Sequence, residues 1–159
     1  MRRNIALLIM VLMMSVVVIG CGDGNDKGNI DKVTPTGGTI ELGDSKINYG
    51  TAKPGQNLSL PDEFPVDVLP LLDDARINFV NTNDANQAIG ITFLTDQSFD
   101  EAVEFYQKVM QDGKVTMESK QDNSYILIGS KGSYAVSISI TYQTGEKVFV
   151  LLDVTPQSN

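Results

Sequence analysis

The chain has 159 residues, no histidine and one cysteine, and it sets 12 Lys and Arg against 20 Asp and Glu for a formal net charge of −8. The missing histidine excludes His-based acid–base catalysis, Ser-His triads and His metal sites, and a single cysteine has no disulfide partner. The lysines are scattered along an acidic chain, which excludes the basic patch that displaces counterions from phosphates, so nucleic acid is not an expected partner.

Arg2 and Arg3 form a basic head, and Ile5 to Ile19 is a run of 15 residues broken only by Ser15. A positive head, an apolar core and a small residue at the cut mark a secretory signal peptide. The ending Val18-Ile19-Gly20-Cys21 resembles the bacterial lipobox, in which cleavage after Gly20 leaves a lipid-modified Cys21 as the new first residue. A permanent spanning helix would need about 20 apolar residues, and this chain turns polar at Gly22-Asp23-Gly24-Asn25. Residues 1–20 are therefore expected to be removed, and Cys21 to hold the protein by acyl chains on the extracytoplasmic face of the cell membrane. Both arginines leave with the signal, so residues 21–159 carry 10 basic and 20 acidic side chains, a formal charge of −10. Such a surface is repelled by anionic lipid. Attachment then rests on the acyl chains, at about 0.8 kcal/mol per buried methylene.

Residues 21–38 comprise the lipid-bearing Cys21 and a stretch of Gly, Asn, Asp, Thr and Pro with too little apolar surface to fold, which predicts a flexible tether. Asp23 to Asp31 looks like the start of a calcium loop, with Gly28 at position 6 and Ile30 at position 8. Lys27 then puts a positive charge at position 5, where an oxygen ligand is needed, and Thr34 replaces the bidentate Glu at position 12. No metal and no cofactor are expected. Residues 39–72 should form a small β-hairpin (39–42 and 46–49, turning at Gly43-Asp44-Ser45) followed by a Pro-rich strap. Pro61, Pro65 and Pro70 come too close together for a helix. The apolar Leu60, Phe64, Val66, Val68 and Leu69 between them suggest an extended strap pressed onto the domain.

Residues 73–156 read as an α+β domain. Strands are predicted at 75–81 and 88–95, with Ile89, Ile91 and Phe93 on one face. Ser98 and Glu101 have the spacing of a capping box. Phe99, Ala102, Val103, Tyr106, Val109 and Met110 then recur at helical spacing over 99–111, with Gly113 placed to end the helix. Strands follow at 115–119, 124–129, 134–142 and 147–154. In 134–142, Tyr134, Val136, Ile138, Ile140 and Tyr142 alternate strictly with small polar residues, the pattern of a half-buried antiparallel strand. The expected architecture is a twisted antiparallel sheet of about five to six strands, in the order β-β-α-β-β-β with one helix packed on a face, preceded by the hairpin and strap. A helix of about 13 residues spans roughly 20 Å and cannot cover such a sheet alone. Either the strap and hairpin cover the remainder, or part of the sheet is a binding surface.

Chemistry-bearing residues are few. Gly129-Ser-Lys-Gly132-Ser133 lacks Walker spacing and a following helix. Asp96, Asp100, Glu101 and Glu104 cluster at the helix start, where acids complement the helix dipole at about 0.3–1 kcal/mol each. Asp62-Glu63 and Asp73-Asp74 fall in loops. Tyr106, Tyr134 and Tyr142 belong to apolar stripes, which makes them core rather than a ligand groove. Asp153 is the one acid within an apolar stripe, and alternation sends it to the outer face. No catalytic residue is assigned.

Gly38-Thr-Ile-Glu-Leu-Gly-Asp44, Leu60-Pro-Asp-Glu-Phe-Pro-Val-Asp67 with Pro70, and Phe105-Tyr106 resemble a group of bacterial lipoproteins with no assigned activity. In that group a Gly-rich strand pair precedes an F-P-x-D-x-P segment and a small α+β domain. The resemblance spans roughly residues 38–155 and departs by one residue, Val68-Leu69 standing before Pro70 where a single residue is usual. It implies location and fold and supplies no mechanism. Two readings of function follow. One is a lipid-anchored, non-catalytic binding or assembly module for another envelope protein. The other is a small hydrolase working with carboxylates alone, which requires two acids about 5–10 Å apart in a concave pocket.

Overall fold

Alternating sequence patterns become strands where one face of a sheet is buried, and the computed structural model, which describes residues 36–43, 45–142 and 147–157, has eight of them among those residues. Their bounds are β1 (Thr36–Leu42), β2 (Ser45–Thr51), β3 (Arg76–Asn83), β4 (Ala88–Thr95), β5 (Lys114–Lys120), β6 (Ser124–Lys131), β7 (Tyr134–Thr141) and β8 (Val148–Pro156), with the helix α1 (Phe99–Val109) between β4 and β5. The expected signal peptide, Cys21 and residues 22–35 lie outside the described residues.

All eight strands join one antiparallel sheet in the order β1-β2-β3-β4-β8-β7-β6-β5. This corrects the expected sheet of five to six strands in the order β-β-α-β-β-β. The hairpin does not lie over the domain. β2 pairs with β3 from Ile47↔Asn83 to Thr51↔Phe79, so β1 and β2 lengthen the sheet by two strands. In the middle of the sheet, β8 inserts between β4 and β7 and unites the two halves.

The register sorts the side chains onto two faces. One cross-strand row runs Leu127, Ile138, Leu152 and Ile91, and a second runs Tyr125, Ile140, Val150 and Phe93. All eight are at most 1% exposed, so this is the core face. α1 lies on it with Ala102, Val103 and Tyr106 turned inward. The rest is covered by the strap, through Leu58, Phe64, Leu69 and Leu72. Pro61 and Pro65 coil the strap into tight turns (Phe64 N–H to Pro61 O, 3.0 Å; Leu69 N–H to Pro65 O, 2.9 Å) rather than extending it, and Val66 is left outside. The Tyr106 hydroxyl donates to Pro70 O at 3.2 Å, tying helix to strap.

The capping box forms as the spacing predicts: Ser98 Oγ accepts from Glu101 N–H at 3.3 Å, and Glu101 Oε2 accepts from Ser98 N–H at 2.9 Å. The helix ends at Met110 by backbone bonding to Tyr106 and Lys108. Gly113 serves a different need, since a Cβ there would stand 2.9 Å from Ser130 O. Gly132 (φ 57°) opens the two-residue turn joining β6 to β7, a conformation that side-chain-bearing residues rarely adopt.

Candidate functional site: the bare face of the sheet

Because side chains alternate along every strand, burial of one face fixes what the opposite face carries. On β6 and β5 that face presents Ile126, Ile128 and Met117, which are 36, 39 and 46% exposed, with Met117 directly opposite Ile128 across the ladder. Phe149 of β8, also exposed, lies on the same face, separated from β6 by Thr141 and Ser139 of β7. Among the described residues, α1 and the buried residues of the strap pack in the core on the opposite side. Isolated apolar groups on a surface need no explanation, whereas contiguous apolar patches of several hundred Å² mark contact surfaces.

The middle of the bare face is polar. Gly90 of β4 sits between Asn81 of β3 and Asp153 of β8. A Cβ at position 90 would stand 2.2 Å from Asn81 Oδ1 and 2.7 Å from Asp153 Oδ1, so the glycine is the notch that admits both side chains. Burial raises the Asp153 carboxyl above its ordinary value. The residues opposite Asp153 are Gly90 and Ser137, and those two places along its own strand are Leu151 and Thr155. Among the described residues no second carboxylate adjoins it on this face, so they do not assemble there the pair a hydrolase requires.

Two of the acids at the helix start, Asp96 and Asp100, line a separate open cleft of about 480 Å³, together with Thr95, Phe99, Asp122, Tyr142 and Lys147 among others. Each acid has a structural employment except Glu104, which is exposed. Asp96 accepts from Lys147 at 2.5 Å and Arg76 at 2.8 Å, and these cations hold its carboxyl below the usual range. Asp100 pairs with Lys120 at 2.7 Å. Glu101 closes the cap, and its hydrogen bonds from Ser98 lower its pKa. Of the loop acids, Asp62, Glu63 and Asp73 are exposed. Asp74 accepts from Thr95 Oγ1 at 2.5 Å and Asp96 N–H at 2.7 Å; burial alone would raise its pKa, and these bonds lower it. Tyr106 is fully buried, which drives its hydroxyl well above the usual phenol range, while Tyr134 and Tyr142 pack at the core margin. Tyr125, not singled out by its spacing, is equally buried and donates to Glu118 Oε1 at 2.9 Å.

Between α1 and the sheet the space is filled by Tyr106, Tyr125, Phe93 and Val103, all without measurable exposure. At these residues the seam between α1 and the sheet leaves no room for a ligand. Residues 73–149 match a family model described as START domain-like. The matched stretch runs from the turn before β3, through α1 and the β5–β6 patch, into the start of β8, and leaves out β1 and β2. That START-like description names a domain and no reaction. Neither the curated proteins nor the solved structures compared with the chain give a match.

Proposed function

We propose that the protein is a lipid-anchored, non-catalytic binding or assembly module, attached to the cell membrane through Cys21 and presenting its bare sheet face to another envelope protein. The observation that carries this reading is the exposed row Met117, Ile126 and Ile128 on a sheet whose other face is covered over its inner strands by α1 and the strap. A match to a domain family described without a reaction is compatible with it. The absence of His, the employment of the helix-start acids in caps and ion pairs, and the solitary Asp153 all weigh against carboxylate hydrolysis.

The test is in-cell crosslinking of the tagged protein, comparing wild type, Cys21→Ala and Ile126→Glu/Ile128→Glu, with captured species identified by mass spectrometry. One dominant envelope partner is expected, reduced in the unanchored chain and lost in the double variant. Substitutions at exposed positions should leave stability within about 0.5 kcal/mol of wild type. A partner retained by a folded double variant would move the contact away from this face.

A further inference from the structure

The two rims of the sheet are built differently. β5 carries Lys114 and Lys120 at its ends and a bulge between Val115 and Met117, devices that keep an outer strand from pairing with another chain. β1 has neither. It runs seven residues without a register shift, and its one charge, Glu41, is already paired with Lys46 at 3.2 Å.

Two hydrogen bonds show which backbone groups β1 turns away from β2, where no strand among the described residues pairs with them. Asp84 N–H donates to Lys46 O and Ala52 N–H to Asn78 O, so the even-numbered residues of β2 aim at β3 and the odd-numbered ones at β1. The β1–β2 pairs that exchange bonds are then Thr36↔Thr51, Gly38↔Tyr49, Ile40↔Ile47 and Leu42↔Ser45. Gly37, Thr39 and Glu41 turn their N–H and C=O groups outward.

We infer that β1 is a self-pairing strand through which two copies of the chain join, antiparallel about a two-fold axis at Thr39, into one continuous sheet. In this register Thr39 faces the partner's Thr39, a bond-exchanging pair of β-branched residues. Gly37 faces the partner's Glu41, so no acid confronts an acid. The two Glu41 side chains lie four residues apart along the strands, roughly 13 Å, beyond the screening length of about 10 Å at 0.1 M salt. On the other side of the strand Ile40, 48% exposed, comes beside the partner's Gly38. The Tyr49 ring lies across Gly38, its atoms 2.9–3.3 Å from where a Cβ would be, and gives that isoleucine an aromatic surface to rest on. A chain with net charge −8 repels its own copies, so association is confined to a stretch whose charge is locally cancelled. β1 is that stretch, and a two-fold contact uses the same patch on both copies.

Sedimentation velocity of the full chain in density-matched detergent, carried into the high-micromolar range, tests this. Wild type and Thr39→Val should sediment as two chains, and Thr39→Pro as one. Proline removes only an outward N–H, which an outer strand tolerates, so its circular dichroism melt should stay close to that of Thr39→Val. Gly37→Glu should weaken the dimer by setting an acid against the partner's Glu41, and Gly37→Lys should tighten it. A monomeric wild type, or a dimer that persists in Thr39→Pro, overturns the proposal. Equal effects of the two Gly37 variants overturn the register.

Discussion

At the scale of single residues, Asp153 is the most consequential polar group. Its carboxyl is half-buried on the bare face, and desolvation raises its pKa in the folded chain. The folded state therefore holds this proton more tightly than the unfolded chain does. Its contribution to stability is fully present below the ordinary Asp value of 3.8 and is lost as pH rises through the higher folded-state value. At neutral pH the ionised group is a net cost. Asp153→Asn should raise the midpoint of thermal unfolding at pH 7, with the gain shrinking as the pH falls through the raised folded-state value towards 3.8, as parallel melts of the two proteins would show. A gain independent of pH would point to packing rather than ionisation. The sequence places Asp153 on the outer side of its strand by alternation, and the structure agrees. What it conceals is the company: Asn81 and Gly90 come from two other strands, 72 and 63 positions back, and only the pairing of β3, β4 and β8 brings all three together.

Among the elements, those with local signals are legible from sequence. The capping box needs only Ser98 and Glu101, and α1 forms between Phe99 and Val109 with the expected residues inward. The 134–142 stretch alternates because one of its faces is buried, and β7 spans Tyr134–Thr141. The hairpin is equally legible as a hairpin, but its place is not, since nothing within Thr39–Tyr49 encodes the attachment of β2 to β3. The strap is a third case, visible through its prolines and apolar residues, whose spacing suggests an extended segment although Pro61 and Pro65 wind it into turns. It acts as the second cover of the core. Leu69 is fully buried there, and Tyr106 hydrogen-bonds the adjoining Pro70. Leu69→Ala should cost about 2–5 kcal/mol, the range for emptying a packed aliphatic site, measured by urea unfolding. Val66→Ala, at an exposed position four residues from Pro70, should cost little by comparison. Similar losses at both positions would mean that the strap is not a cover.

For the molecule as a whole, the decisive feature is that β8, made after the other seven strands, stands at the middle of the sheet between β4 and β7. Its bonds to β4 join residues as far apart in sequence as Ile89 and Val154. Until those residues emerge, β1–β4 and β5–β7 are two open fragments with no shared core, and loop-closure entropy delays their union. On the proposed reading of residues 1–20 as an export signal, the chain crosses a membrane unfolded, and a central strand made after the other seven postpones the cooperative step until β8 is available. The topology acts as a timer on folding, set by the position of one strand.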